Sequence, residues 1–227
     1  MPRPLFFALL SLLLFVGIAL PAAHHQLLPG EELVYRAIRA RRSPLLDHFF
    51  HTITKAGGDM ILIPIGVGVF LWQFNNWRLL LFIVFYSLGV PLLETGAKLV
   101  VARPRPHHYL AVGPLLQSSH GFPSGHALAA AAFYGMLLVL LYKEIRHRGW
   151  QQVILWGILL LIVFIGLSRI YLGVHWPSDV LGGYALGGAY CFLAKVACER
   201  IERSGRFRLP SQLSITGGGN SVSENSP

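Results

Sequence analysis

Acidic residues are scarce in this sequence. Ten Asp and Glu stand against nineteen Lys and Arg, and charged residues of either sign occupy only 13% of its 227 positions. Soluble domains carry roughly a quarter, so an ordinary water-soluble globule is excluded. A disordered basic tail is excluded too, because 54% of the chain is hydrophobic. Cysteine is nearly absent, and Cys191 and Cys198 cannot form a disulfide scaffold. Seven residues of helix would hold them about 10 Å apart, too far for a bridge, so both are expected to fill the core. The sequence contains neither an HExxH motif nor a convincing internal repeat. Its net charge of +9 is spread between long apolar runs rather than gathered on a soluble face, so nucleic acid is not expected as a partner. In a membrane chain, excess cations serve to fix topology or to hold anionic headgroups.

What is present is a series of apolar segments, at about residues 5–23, 58–74, 79–97, 125–142, 151–169 and 177–196. Each is close to the roughly 20 residues that cross a bilayer, or fewer when basic ends snorkel. They predict an all-α integral membrane six-helix bundle, forming one domain over residues 1–208. The first segment suits a retained anchor, and Ala22-Ala23 behind a lone Arg3 also suit a cleaved signal peptide. Between the first two spans, Glu31 to Ile53 reads as an amphipathic helix or pair of helices along the membrane surface. Leu33, Val34, Ala37 and Ile38 share one face, with Arg36, Arg39, Arg41 and Arg42 elsewhere. Asn75-Asn76-Trp77-Arg78 reads as a tight turn, and Pro177 with Asp179 marks a helix start. Gly183 and Gly187, four apart, predict close helix packing. The stretch 209–227, rich in Ser, Gly and Asn, is expected to be a disordered tail.

With six spans both termini share a side. That side carries ten Lys and Arg and the other nine, so the raw count does not orient the chain. If Lys98, Arg103, Arg105 and Arg169 are present for chemistry, the count becomes ten against five and places the termini and tail in the cytoplasm. The loop from Lys98 to His126 and the loop from Ser168 to Asp179 are two spans apart, so they emerge together on the opposite, extracytoplasmic face.

Those loops hold the polar chemistry of the chain. Lys98, Arg103, Arg105 and Arg169, with His126, His175 and Asp179, make a site for a dianion, and guanidinium groups fit phosphate oxygens bidentately. Ser124 as a helix N-cap would leave the amides of Gly125 and His126 facing an anion, with no Gly125 side chain in the way. The same residues would also simply start a helix. Asp179, four after His175, can accept a hydrogen bond from one imidazole nitrogen and leave the other nucleophilic or basic. Glu94, one helical turn before Lys98, is expected to position it; a snorkelling or solvated carboxylate is the other reading.

Lys98-x6-Arg105-Pro106, then Pro123-Ser124-Gly125-His126, then Ser168-Arg169-x5-His175-x3-Asp179 resembles the three-part signature of the type 2 phosphatidic acid phosphatase family. Every signature position is present and in order. The resemblance implies a bacterial membrane phosphatase that needs no metal or other cofactor and acts on a lipid phosphate or pyrophosphate. The substrates it suggests are phosphatidic acid, phosphatidylglycerophosphate and undecaprenyl pyrophosphate. It implies that His175 attacks phosphorus, Asp179 orients His175, and His126 serves as general acid and then base. It also implies that Lys98, Arg105, Ser124, Gly125 and Arg169 bind the phosphoryl group. Arg103 lies outside the signature and is available to a headgroup. The expected setting is the inner membrane, with the site on the periplasmic face and no obligate protein partner.

Two other classes remain open from the residues. One is a metal hydrolase, with ligands from His107, His108, His120, His126 and His175. The other is a transporter or headgroup-binding protein, whose charges would be expected nearer the bilayer midplane.

Overall fold

The computed structural model describes residues 3–72, 77–106, 120–142, 145 and 147–203, and all of its regular structure is helical. Eight helices occur among the described residues: α1 (Arg3–Ala23), α2 (Glu31–Arg39), α3 (Pro44–Lys55), α4 (Asp59–Trp72), α5 (Trp77–Val101), α6 (Gly125–Leu141), α7 (Arg148–Tyr171) and α8 (Pro177–Arg203). The 209–227 tail, Asn75-Asn76, His107 and His108 lie outside the described residues.

Among the described residues, four helices are long and apolar enough to cross a membrane: α1, α5, α7 and α8. Their outer faces are apolar and open, with Leu13 70%, Leu92 74% and Val100 82% exposed. Exposure on that scale would mark an interface in water and is the normal surface of a chain solvated by lipid. The second apolar run forms α4 and starts at a corner: α3 and α4 meet at 46° across Ala56-Gly57-Gly58, so the two are a bent pair and not one straight span.

Helix α6 is the centre. Ala127, Leu128, Ala130 and Ala132 are fully buried, and the helix packs against α5, α7 and α8. Apolar residues on all sides are what a core helix requires. Small residues set its distance from α8. A Cβ added at Gly183 would fall 2.7 Å from the Ser124 carbonyl oxygen, and one at Gly187 would fall 2.5 Å from that of Leu128. Helix α1 lies along the other side of α8. Cys191 belongs to this core, whereas Cys198 is half-buried; neither forms a disulfide.

Helix ends differ from the hydropathy limits in one consistent way. Helix α5 begins at Trp77, so Trp77 and Arg78 are helical rather than part of a turn. It continues to Val101, and α7 continues to Tyr171, so Lys98 and Arg169 sit in final helical turns and not in loops. The Glu31–Ile53 segment forms two helices as expected, but it does not simply rest on a membrane. Glu31, Tyr35 and Phe50 are buried against the protein, while Leu33 and Val34 remain exposed.

Candidate active site

The expected site residues converge at one end of α5, α6, α7 and α8. After Tyr171 the chain turns through Gly173, whose φ of +78° is a left-handed conformation that favours glycine. The Val174 amide donates back to the Arg169 carbonyl at 3.1 Å, and the reversed chain presents His175 just before α8. Helix α2 braces this turn: Tyr35 donates to the Gly173 carbonyl at 3.3 Å and Arg39 to that of Tyr171 at 3.4 Å.

His175 is buried between opposite charges. Its Nδ1 lies 3.4 Å from Asp179 Oδ2, inside ion-pair reach but long for a hydrogen bond. Its Nε2 lies 3.2 Å from Arg105 Nη1, which also donates to the Val174 carbonyl at 3.1 Å. A guanidinium has no acceptor, so this contact assigns the lone pair to Nε2 and the proton to Nδ1, facing Asp179. Burial above all, and then the positive charges of Arg105, Arg169 and Lys98, push the imidazole well below its ordinary value of 6.5, so it is neutral at pH 7.

Asp179 is fixed from three directions. Oδ1 accepts from Arg103 at 2.7 Å, and Oδ2 accepts the Trp176 amide at 2.9 Å in the manner of a capping box. The Asp179 carbonyl accepts from the Ser124 amide at 2.9 Å, tying the starts of α6 and α8 together. His126 lies in the first turn of α6, within electrostatic reach of Arg169, His175, Lys98 and Arg105. The α3–α4 corner covers it, since a Cβ at Gly58 would be 3.5 Å from His126 Nε2.

Several expectations need correction here. Ser124 stands at the N-cap position of α6, but its hydroxyl makes no cap hydrogen bond. Gly125 does leave space, yet that space is occupied: a Cβ there would lie 2.2 Å from Glu94 Oε1. Glu94 in turn accepts from Lys98 Nζ at 2.5 Å, so it is paired and not a free carboxylate. Arg103 is 1% exposed and cannot meet a headgroup. It points inward to Asp179, Ser178 and Glu31. Thr54 is a further participant with no sequence signal, accepting from Arg169 Nη1 at 2.8 Å.

Among the described residues, three buried side-chain polar atoms have no hydrogen-bond partner: Ser124 Oγ, Arg169 Nε and His175 Nδ1. Unsatisfied buried groups are costly and demand a reason. All three belong to the convergent set, and a hydroxyl and a guanidinium N–H offered beside an imidazole suit an anionic ligand. Also among the described residues, no three His, Cys, Asp or Glu side chains gather where they could hold a metal ion.

Known proteins are similar to this chain in sequence and fold. The profile of the PAP2 superfamily matches residues 77–202. Phosphatidylglycerophosphatase B of Bacillus subtilis is 34% identical over 203 residues, covering 85% of this chain and 96% of that protein. Undecaprenyl-diphosphatase of Sulfolobus acidocaldarius is 26% identical over 208 residues, covering 90% of this chain and 94% of its own length. The crystal structure of a transmembrane PAP2-type phosphatidylglycerolphosphate phosphatase from Bacillus subtilis superposes with a TM-score of 0.72 at 31% identity. It covers 92% of this chain and all of the other.

Proposed function

Because the chain belongs to the PAP2 superfamily, we propose that this multi-pass membrane protein removes the terminal phosphate of a lipid phosphate or pyrophosphate through a phosphohistidine intermediate. The observation that carries the reading is the coincidence of the three unpartnered buried atoms with Ser124, Arg169 and His175. Lys98, Arg105, Arg169, Ser124 and the Gly125 amide hold the phosphoryl oxygens and stabilise the charge of the transition state. The His175 Nε2 lone pair attacks phosphorus as the bond to the lipid oxygen breaks, and His126 protonates that oxygen. The Nδ1 proton stays in place against Asp179. His126 then takes a proton from water, which displaces the phosphate and returns His175 to its neutral form. Glu94 holds Lys98 in reach of the phosphate.

The relatives act, by their names, on phosphatidylglycerophosphate and undecaprenyl diphosphate. For this chain the proposed substrates are phosphatidylglycerophosphate or undecaprenyl pyrophosphate, as these names suggest, or phosphatidic acid, as the sequence signature suggests. The site faces the periplasm from the inner membrane, with both termini in the cytoplasm. Phosphate release from a panel of these lipids in detergent tests the reading, with His175→Ala as the inactive control. Lipids are expected to be cleaved; turnover of soluble phosphate esters alone would overturn the assignment. On the same panel Glu94→Gln is expected to lower kcat/KM about fivefold, the worth of a partly buried ion pair of about 1 kcal/mol.

A further inference from the structure

Arg103 carries a permanent charge into the protein interior. Its residue is 1% exposed, and the carboxylates it meets, Glu31 and Asp179, are 4% and 0% exposed. Nη1 donates to Asp179 Oδ1 at 2.7 Å and to Ser178 Oγ at 2.6 Å. Nη2 donates to Glu31 Oε2 and to the Gln26 carbonyl, each at 3.1 Å. Glu31 closes the circuit, since its Oε1 accepts from the Ser178 amide at 2.8 Å and from the Ser178 hydroxyl. Its Oε2 also accepts the Leu28 amide at 2.9 Å. The Trp176 ring lies 6.0 Å from the guanidinium carbon.

One carboxylate would suffice to neutralise one buried guanidinium. A second, supplied by α2 from 72 residues earlier in the chain, makes the cluster net negative. Burying that surplus is unfavourable without positive charge nearby; Arg105 supplies a permanent charge on the far side of His175, and the adjacent group that becomes positive in the reaction is His175.

We propose that Glu31 is a positioning residue for Asp179, acting through Arg103 and Ser178, and that the surplus charge of the cluster stabilises His175 once its Nε2 is bonded to phosphorus. The inference rests on the phosphohistidine reading. As the P–N bond forms and the P–O bond to the lipid breaks, the ring gains positive charge while the proton remains on Nδ1. With Glu31 present, the Arg103 charge is shared between two carboxylates, and Asp179 Oδ2 keeps its full negative charge toward that proton. Without Glu31, Arg103 turns wholly onto Asp179 and weakens its hold on the ring. Glu31 also caps the first turn of α8 from another helix, so the carboxylate and the backbone that carries it are set together.

A double-mutant cycle on the full-length protein in detergent tests this, using the most active lipid of the panel. Glu31→Gln is expected to lower kcat about 10- to 100-fold, as loss of a supporting carboxylate does elsewhere, with KM changed less than about twofold. In the Asp179→Asn background the same substitution is expected to cost less than about twofold, because the two act as one unit. Glu31→Asp, taken through the same cycle, retains the charge and is expected to lose less than about fivefold. Equal losses in both backgrounds, a loss confined to KM, or a Glu31→Asp protein as slow as Glu31→Gln would overturn the inference. If Asp179→Asn itself turns over like the unaltered protein, the phosphohistidine reading fails instead.

Discussion

Burial disfavours the charged form of His175 above all, and the positive charges of Arg105, Arg169 and Lys98 add to the effect. The consequence for stability has a definite sign. In the unfolded chain this residue takes up a proton near pH 6.5, whereas in the folded protein it resists doing so. Below about pH 6.5 the unfolded state therefore binds more protons, and the folded state loses stability as the pH falls toward the folded value. His175→Asn removes this contribution. Its Tm relative to the unaltered protein is expected to rise steadily as the pH drops from 7 to 5, and a difference that stays constant would contradict the assigned environment. The residues now proposed for phosphate chemistry were legible because they interrupt apolar runs: Lys98, Arg105, Arg169, His126, His175 and Asp179 each stand out against greasy neighbours. Glu31 and Thr54 were not. Each reaches its partner across more than a hundred residues, Ser178 and Arg169 respectively, and no local pattern marks such a pairing. Arg103 was visible as a charge but not as an inward-facing one.

Among elements, the contact of α6 with α8 does most to join the two halves of the site, because Ser124 and Asp179 lie at its upper end and share a backbone hydrogen bond. Gly187 holds that contact. A methyl group there would meet the Leu128 carbonyl at 2.5 Å and the Ala131 Cβ at 2.9 Å, so Gly187→Ala is expected to cost about 1–3 kcal/mol, several degrees in Tm. Gly157, on the exposed face of α7, has nothing within 4 Å of an added Cβ. Gly157→Ala is therefore expected to gain about 0.5–1 kcal/mol through helix propensity. Thermal unfolding of both variants checks the pair, and the same sign for both would refute the packing account. The Gly183 and Gly187 spacing had announced this contact. The ends of α5 and α7 were harder to place because hydropathy falls at the first charged residue, while the backbone hydrogen-bond ladder continues beneath Lys98 and Arg169. The corner between α3 and α4 falls at the segment boundary expected near Gly58, but its angle of 46° was not legible, because Gly57-Gly58 changes direction without changing polarity.

For the whole molecule, the short helices α2 and α3 form a cover over the proposed site. Glu31, Tyr35 and Arg39 hold the His175 turn and the start of α8, while Thr54 holds Arg169. This cover and the site must lie on one side of the membrane. With the proposed orientation, a thiol reagent that cannot cross the inner membrane is expected to label Arg41→Cys in bacterial cells with a permeabilised outer membrane. A fluorescent protein fused to the C-terminus is expected to mature in the cytoplasm. Protection of position 41, or a dark fusion, would reverse the topology. The length of α6 adds a last point. Its 17 residues extend about 26 Å, less than the roughly 30 Å of a hydrocarbon layer. A helix shorter than the layer it crosses carries its first turn no farther out than the interface, and so not beyond the level of the glycerol and phosphate groups. A lipid reaching Gly125 and His126 need not be lifted out of its leaflet, only moved sideways within it. Supply of substrate is then a two-dimensional problem, and turnover should follow the lipid's mole fraction in the surface rather than its concentration in the surrounding water.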